Sequence, residues 1–130
     1  MDAAQAIADL TEISPQVRDV VVISPDGAAA GSNLTDDAAA ARLADGAKRL
    51  VEAAEALRPG VSQLKAATLA GSVFVVRDGD RLIAATTTPE PTVGLVFYDL
   101  KTCLRAIEET PPKPVRRRAP AKKKADDAAS

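Results

Sequence analysis

Three pairs of neighbouring aspartates have a spacing that could bind a metal ion or perform acid–base chemistry in this 130-residue chain. They are Asp36 with Asp37, Asp78 with Asp80, and Asp126 with Asp127. The first pair opens a helix-forming segment, where negative charge complements the helix dipole, and the second flanks a glycine that suits a tight hairpin. None of the pairs has the series of spaced oxygen ligands that a calcium loop requires. We therefore interpret them as capping, turn and surface residues.

Nucleophilic and acid–base side chains are scarce. The chain has no histidine, so it lacks the commonest general base and metal ligand near neutral pH. Its single cysteine, Cys103, falls beside Leu100 and Leu104 in a helical segment, which favours a buried thiol over a nucleophile. Gly27 and Gly31 follow a predicted strand, but the lysine and hydroxyl residue of a nucleotide-binding loop are missing. The sequence therefore predicts a protein that is not an enzyme and has no metal or cofactor.

The period of the apolar residues predicts the elements that carry these side chains. A helix ending near Ile13 is followed by a β-branched strand over 17–23 that stops at a Pro-Asp-Gly turn. The later elements are a helix over 36–57, strands over 63–70, 72–77 and 81–87, and a helix capped by Thr92. This order predicts an α+β fold, in which helices pack on a five-stranded antiparallel sheet.

Charge divides the chain into two regions. Residues 1–110 hold 10 Lys/Arg and 16 Asp/Glu, whereas residues 111–130 hold 7 and 2. The second region has four prolines and almost nothing to bury, so we expect a folded domain over 1–110 and a disordered basic tail over 111–130. The residues expected to contact polyanions, weakly and without specificity, are Arg116, Arg117, Arg118, Lys122, Lys123 and Lys124.

No apolar stretch is long enough to cross a membrane, and the first residues do not form a signal peptide. A lone cysteine cannot form an internal disulfide and fits a reducing compartment. The compositional bias toward Ala, Asp, Arg and Val is typical of a GC-rich coding sequence. We therefore expect a cytoplasmic prokaryotic protein without a transmembrane segment.

The long helix has two adjacent stripes. The residues predicted to cover the sheet are Leu43, Ala47, Leu50, Ala54 and Leu57, with Ala40, Ala44 and Val51 widening their arc. Beside them runs a strip of small residues spaced by seven: Ala39, Gly46 and Ala53. Glycine within a helix costs about 1 kcal/mol relative to alanine. Gly46 therefore indicates either a helix-to-helix dimer contact or a tolerated substitution in an alanine-rich helix.

Taken together, several short features resemble the Roadblock/dynein light chain domain family over residues 3–109. They are the leading helix, the strand Val20–Ile23 running into Ser24-Pro25-Asp26-Gly27, the alanine-rich long helix, the three-strand meander, and Pro91–Tyr98 opening the last helix. The segment Ala28–Ala30 departs from the family because it lacks large apolar residues, which predicts a weak hairpin.

The resemblance implies a sheet with helices on both faces, in a Roadblock/profilin-like order α-β-β-α-β-β-β-α. It also implies a homodimer joined along the long helices and neighbouring strand edges, with Ala39, Gly46, Ala53, Leu43 and Leu50 in the contact. Family members are non-catalytic partners of Ras-like small GTPases or subunits of motor and signalling scaffolds. In one bacterial branch, the dimer activates its GTPase without supplying an arginine finger.

Three functions are compatible with these features. The favoured one is a homodimeric scaffold or regulatory module that binds a Ras-like small GTPase or a related signalling protein. The alternative is a nucleic-acid-associated protein that contacts phosphates through its basic tail, although the folded part lacks the aromatic residues or basic face of a specific reader. A third hypothesis is a small-molecule sensor or an enzyme whose pocket is formed on the sheet.

Overall fold

The helices and strands of the computed structural model, which describes residues 1–107, follow the predicted order. They are α1 (Ala3–Ile13), β1 (Val17–Ile23), β2 (Ala29–Ser32), α2 (Asp37–Leu57), β3 (Gln63–Thr68), β4 (Gly71–Asp78), β5 (Arg81–Thr87) and α3 (Val93–Ala106). The third strand ends two residues earlier than predicted, because residues 69–70 form the turn into β4. The tail cations at 116–118 and 122–124, and the predicted boundary at residue 110, lie outside the described residues.

The five strands form one sheet in the order β2-β1-β5-β4-β3, and every neighbouring pair is antiparallel. This arrangement confirms the predicted five-stranded antiparallel sheet. Asp78 pairs with Arg81 across the turn formed by Gly79 and Asp80, so the predicted tight hairpin is present.

Alternation along the strands divides the core into two clusters, one on each face of the sheet. Val20, Phe74 and Ile83 point toward α1 and α3, and the ring of Phe74 meets that of Phe97 edge-on with centroids 4.9 Å apart. Val21, Val75 and other side chains of the opposite face pack against α2. Helices on both faces therefore bury β1, β5 and β4 from two sides, which explains their nearly continuous apolar sequences.

The short strand β2 is completed by a side chain. It pairs with β1 only from Val21 to Ile23, as expected from a hairpin with small residues. Beyond it, the Asn33 side chain accepts a hydrogen bond from the Val20 amide (2.8 Å) and donates one to the Arg18 carbonyl (2.6 Å). Asn33 thus satisfies backbone groups of β1 where its neighbouring strand has ended.

The ends of the helices are capped unequally. Asp36 accepts a hydrogen bond from the Ala38 amide (3.0 Å), which confirms that this aspartate caps α2. Thr92 occupies the predicted N-cap position of α3, but its side chain makes no capping hydrogen bond. Instead, the backbone amide of Thr92 donates to the side-chain oxygen of Gln16 (2.5 Å), which ties the start of α3 to the segment that follows α1. In the described residues, no helix is long and apolar enough to cross a membrane.

Gly71 lies where the β3–β4 hairpin meets the end of β5. Its φ is +147°, and a Cβ atom there would lie 2.0 Å from the carbonyl oxygen of Thr87. The same corner is tied together by the hydroxyl of Thr68, which donates to the Gly71 carbonyl (2.6 Å). A side chain at position 71 would therefore force apart two strands that are buried and hydrogen-bonded.

Replacing Gly71 with alanine is expected to lower the free energy of unfolding by roughly 2–4 kcal/mol, because steric overlap adds to backbone strain. Urea denaturation measures the loss. Gly79→Asn is the control, since Gly79 also has a positive φ (+64°) but has open space around it. Equal losses at the two positions would show that contact with Thr87 is not the cause.

Candidate dimerisation and partner-binding surface

The side of α2 that packs on the sheet consists of small side chains. Its buried residues are Ala40, Ala44, Ala47 and Val51. The leucines predicted to cover the sheet are less buried than expected: Leu43 and Leu50 are half-buried, and Leu57 is 87% exposed. The prediction that Leu57 covers the sheet is therefore wrong. The four buried residues lie about 90° around the helix from the leucines, so the short side chains make the contact.

The predicted strip of small residues lies on the side of α2 that turns away from the sheet. Ala39 is half-buried, and Gly46 and Ala53 are exposed. At about 100° per residue, these three positions span about 40° of the helix and border the stripe of Leu43 and Leu50. The structure thus brings the five candidate residues together on one accessible surface, which we call the α2 strip.

Gly46 has no packing requirement within the described chain. A Cβ atom built on it would meet nothing within 4 Å. Glycine in the middle of a helix costs about 1 kcal/mol relative to alanine, and no contact described within the protomer offsets this cost. An approach of another backbone from outside would explain the glycine.

The α2 strip lies near an open edge of the sheet. In the described sheet, β3 pairs only with β4, so its outer edge carries unpaired backbone groups. Leu64 on β3, Val73 on β4 and Leu43 on α2 are half-buried and pack against the same core cluster. Apolar surface and free backbone hydrogen-bonding groups therefore occur side by side, as a protein-binding surface requires.

Glu55 fixes the loop that connects α2 to β3. Its carboxylate accepts hydrogen bonds from the amides of Gly60 (2.8 Å) and Val61 (3.1 Å) and pairs with Arg77 (3.4 Å). The Gly60 amide, followed by the Val61 amide, lowers the pKa of Glu55 below its ordinary value, and Arg77 adds to this effect. Glu55 was not identified from the sequence. The available signal was an acid shortly before a Pro-Gly turn, whose amides need an acceptor.

Cys103 is packed within the fold, and Asp78 forms an ion pair with a neighbouring element. Cys103 is buried, and burial, with a smaller effect from Asp9, raises its pKa to about 11. The thiol is therefore protonated at neutral pH, in agreement with the predicted packed cysteine. Asp78 pairs with Arg105 at 3.5 Å. Across residues 1–107, no group of three or more potential ligands is placed to hold a metal ion.

The element order and sheet topology define an α+β fold of the Roadblock/profilin-like type, and solved structures share it. A Roadblock/LC7 domain from Streptomyces avermitilis is 18% identical, with a TM-score of 0.70 over 82% of this chain and 94% of that one. A second such domain from the same organism is 24% identical, with a TM-score of 0.63 over 79% and 95%. The gliding protein MglB from Thermus thermophilus is 16% identical, with a TM-score of 0.61 over 81% and 84%.

These similarities show that the chain has the Roadblock/LC7 fold that the sequence features resemble. No protein-family profile and no curated protein sequence matches the chain. The similarity therefore lies in the three-dimensional arrangement, and the functional argument depends on the surfaces of this chain.

Replacing Glu55 with glutamine is expected to lower the urea midpoint at pH 7, because the loop amides would lose a charged acceptor. The folded-state pKa of Glu55 is lowered, so its stabilisation is present above the unfolded-state pKa of about 4.3 and is lost as pH falls through the folded-state value. The difference in urea midpoint between wild type and E55Q should therefore be constant from about pH 6 to 8 and shrink below about pH 4.

Glu52→Gln is the matched control, since Glu52 is exposed on the same helix. It should leave the urea midpoint at pH 7 unchanged. If E52Q lowered the urea midpoint as much as E55Q, the cause would be the net charge of α2. That result would contradict the role assigned to the hydrogen bonds between Glu55 and the loop.

Proposed function

We propose that this protein is a non-catalytic homodimeric module that binds and regulates a Ras-like small GTPase or a related signalling complex. The main support is the α2 strip, an accessible surface of small and apolar residues that the protomer's own sheet leaves uncovered. Its setting in a Roadblock/LC7 fold, with an open strand edge nearby, agrees with the dimer that the sequence resemblance implies.

The proposed dimer contact is self-complementary. In a two-fold dimer the same patch faces itself, so Gly46 of one protomer lies close to the α2 strip of the other. Small residues allow two helices to approach closely, and the flanking Leu43 and Leu50 gain burial from the partner. Pairing along the β3 edges would satisfy the free backbone groups and extend the sheet across the dimer.

The proposed GTPase contact is a binding and positioning surface. Arg42 and Arg49 flank the α2 strip on its exposed side, and Arg49 forms a surface ion pair with Asp45 (3.0 Å). Arg81 has a structural role, since its guanidinium donates to the carbonyls of Leu104 (3.2 Å) and Ile107 (3.3 Å) at the end of α3. Regulation would then depend on holding the GTPase in a favourable conformation, without an inserted catalytic side chain.

Replacing Gly46 with glutamate is expected to convert the dimer to monomers that retain their helices, because a charged side chain would be buried at the centre of the contact. Light scattering measures the mass, and circular dichroism measures the helix content. Ala41→Glu is the matched control: it adds the same charge at an exposed position on the far side of α2. A wild-type chain that is monomeric at high concentration, or dissociation by A41E, would contradict the proposed contact.

Single replacement of Arg18, Arg42, Arg49 or Arg81 by alanine is expected to change GTP hydrolysis by a co-purifying Ras-like GTPase less than about tenfold, whereas loss of an arginine finger costs about 10³–10⁵. Single-turnover hydrolysis measures the rate, and a pull-down of the same variants measures binding. A loss of several orders of magnitude with binding intact would identify an arginine finger and refute the non-catalytic role. Absence of any bound GTPase would contradict the proposed partner.

A further inference from the structure

A groove between α1 and α3 lies on the face of the sheet opposite α2. Its cavity has a volume of about 160 Å³, and its apolar lining includes Ala6, Leu10, Cys103 and the 72% exposed Ile13. A dry cavity of about 150 Å³ accommodates benzene, so this groove is large enough for a prolyl ring or a valyl side chain. The groove thus presents an apolar surface that a segment of chain could cover.

The rim of the groove is acidic. Asp9 and Asp99 both line it. Residues 2–13 contain three acids and no lysine or arginine. Arg105, near the other end of α3, is paired with Asp78 in the β4–β5 hairpin. The ligand that fits the groove therefore combines short apolar groups with positive charge.

The two ends of the groove are set by the course of the helices. Thr92 at the start of α3 contacts Gln16 just beyond α1, so the two helices run antiparallel. The groove reaches from Ala106 at one end toward Asp99 and Ile13 at the other. Asp99 and Ala106 are seven positions apart along α3, which corresponds to about 10 Å. The chain leaves α3 at Ile107, directly beside the Ala106 end.

We propose that residues 111–118 of the same chain fold back into this groove. Their sequence, PPKPVRRR, places prolines and Val115 immediately before three arginines. In a polyproline conformation, residues 111–115 span about 15 Å, so they cover the groove and bring Arg116–Arg118 to Asp99 and Asp9. Docking in this direction requires the chain to reverse its course within residues 108–110.

Weak docking is sufficient, because the segment is tethered beside its site. A short linker gives an effective concentration in the millimolar range, and prolines lose little conformational freedom on binding. This proposal assigns residues 111–118 to the groove, whereas the sequence predicted disorder for all of 111–130. It concerns the face of the sheet opposite the α2 strip, so its failure would leave the proposed dimer and GTPase contacts untouched.

Cys103 provides the test because its thiol lines the groove. The rate of its reaction with a maleimide at fixed pH is measured in the full chain, in R116E/R117E/R118E, and in K122E/K123E/K124E. If about four-fifths of the molecules are docked, the arginine variant should react about fivefold faster than wild type. The lysine variant has the same change in charge beyond the groove and should react at the wild-type rate.

One further full-chain variant separates specific docking from diffuse attraction. P112S/P114S/V115S keeps every cation and should accelerate labelling, because it removes the apolar contacts with the groove. Loss of cations near a thiol disfavours its thiolate and would slow the reaction, so acceleration reports exposure of the groove. Equal acceleration by the lysine and arginine variants, no acceleration by either, or a wild-type rate in P112S/P114S/V115S would overturn the proposal.

Discussion

The packing of α2 on the sheet through short side chains is the constraint on which the other features depend. Ala40, Ala44 and Ala47 fill the contact with little more than methyl groups, so the helix lies close to the strands. Longer side chains cannot enter that space and are displaced toward the margin, where Leu43 and Leu50 are half-buried. The position of the α2 strip follows from this displacement, because the apolar arc of the helix is wider than the sheet can cover.

The sheet separates two surfaces of different chemistry. On one side, the α2 strip is small and apolar, and an open strand edge lies nearby. On the other side, α1 and α3 form an apolar groove with acidic side chains at its rim. Strands with buried residues on both faces are stiff, so each surface can acquire a partner without rearranging the other. The two proposals therefore concern independent parts of the molecule.

Most of the fold could be predicted from the sequence because its apolar periods change clearly along the chain. The short, nearly continuous apolar runs of β1, β4 and β5 and the helical spacing in α2 give the order of the elements, and Asp36 marks where α2 starts. Periodicity does not determine which part of a wide apolar arc is buried. On α2 the large leucines were expected to pack on the sheet, but close approach favours alanine.

Other features depend on contacts between distant segments. Position 71 requires glycine because the carbonyl of Thr87, 16 positions away in the chain, leaves no space for a Cβ atom. The start of α3 is fixed by Gln16, which accepts a hydrogen bond from the Thr92 amide, and the Thr92 hydroxyl makes no capping hydrogen bond. Ala39, Gly46 and Ala53 were found from their spacing, because a repeat of seven returns to one side of a helix, whereas Leu43 and Leu50 were placed in the contact by the family resemblance. Glu55 was missed because its role as an acceptor depends on how the following loop turns back.

The Asn33 side chain has a consequence for the exposure of β1. By hydrogen bonding to Val20 and Arg18, it occupies backbone groups of β1 that the short strand β2 does not reach. A strand from another molecule would have to displace this side chain before it could pair with β1 at these positions. A single amide side chain thus substitutes for the missing length of a strand and shields an interior strand of the sheet from foreign pairing.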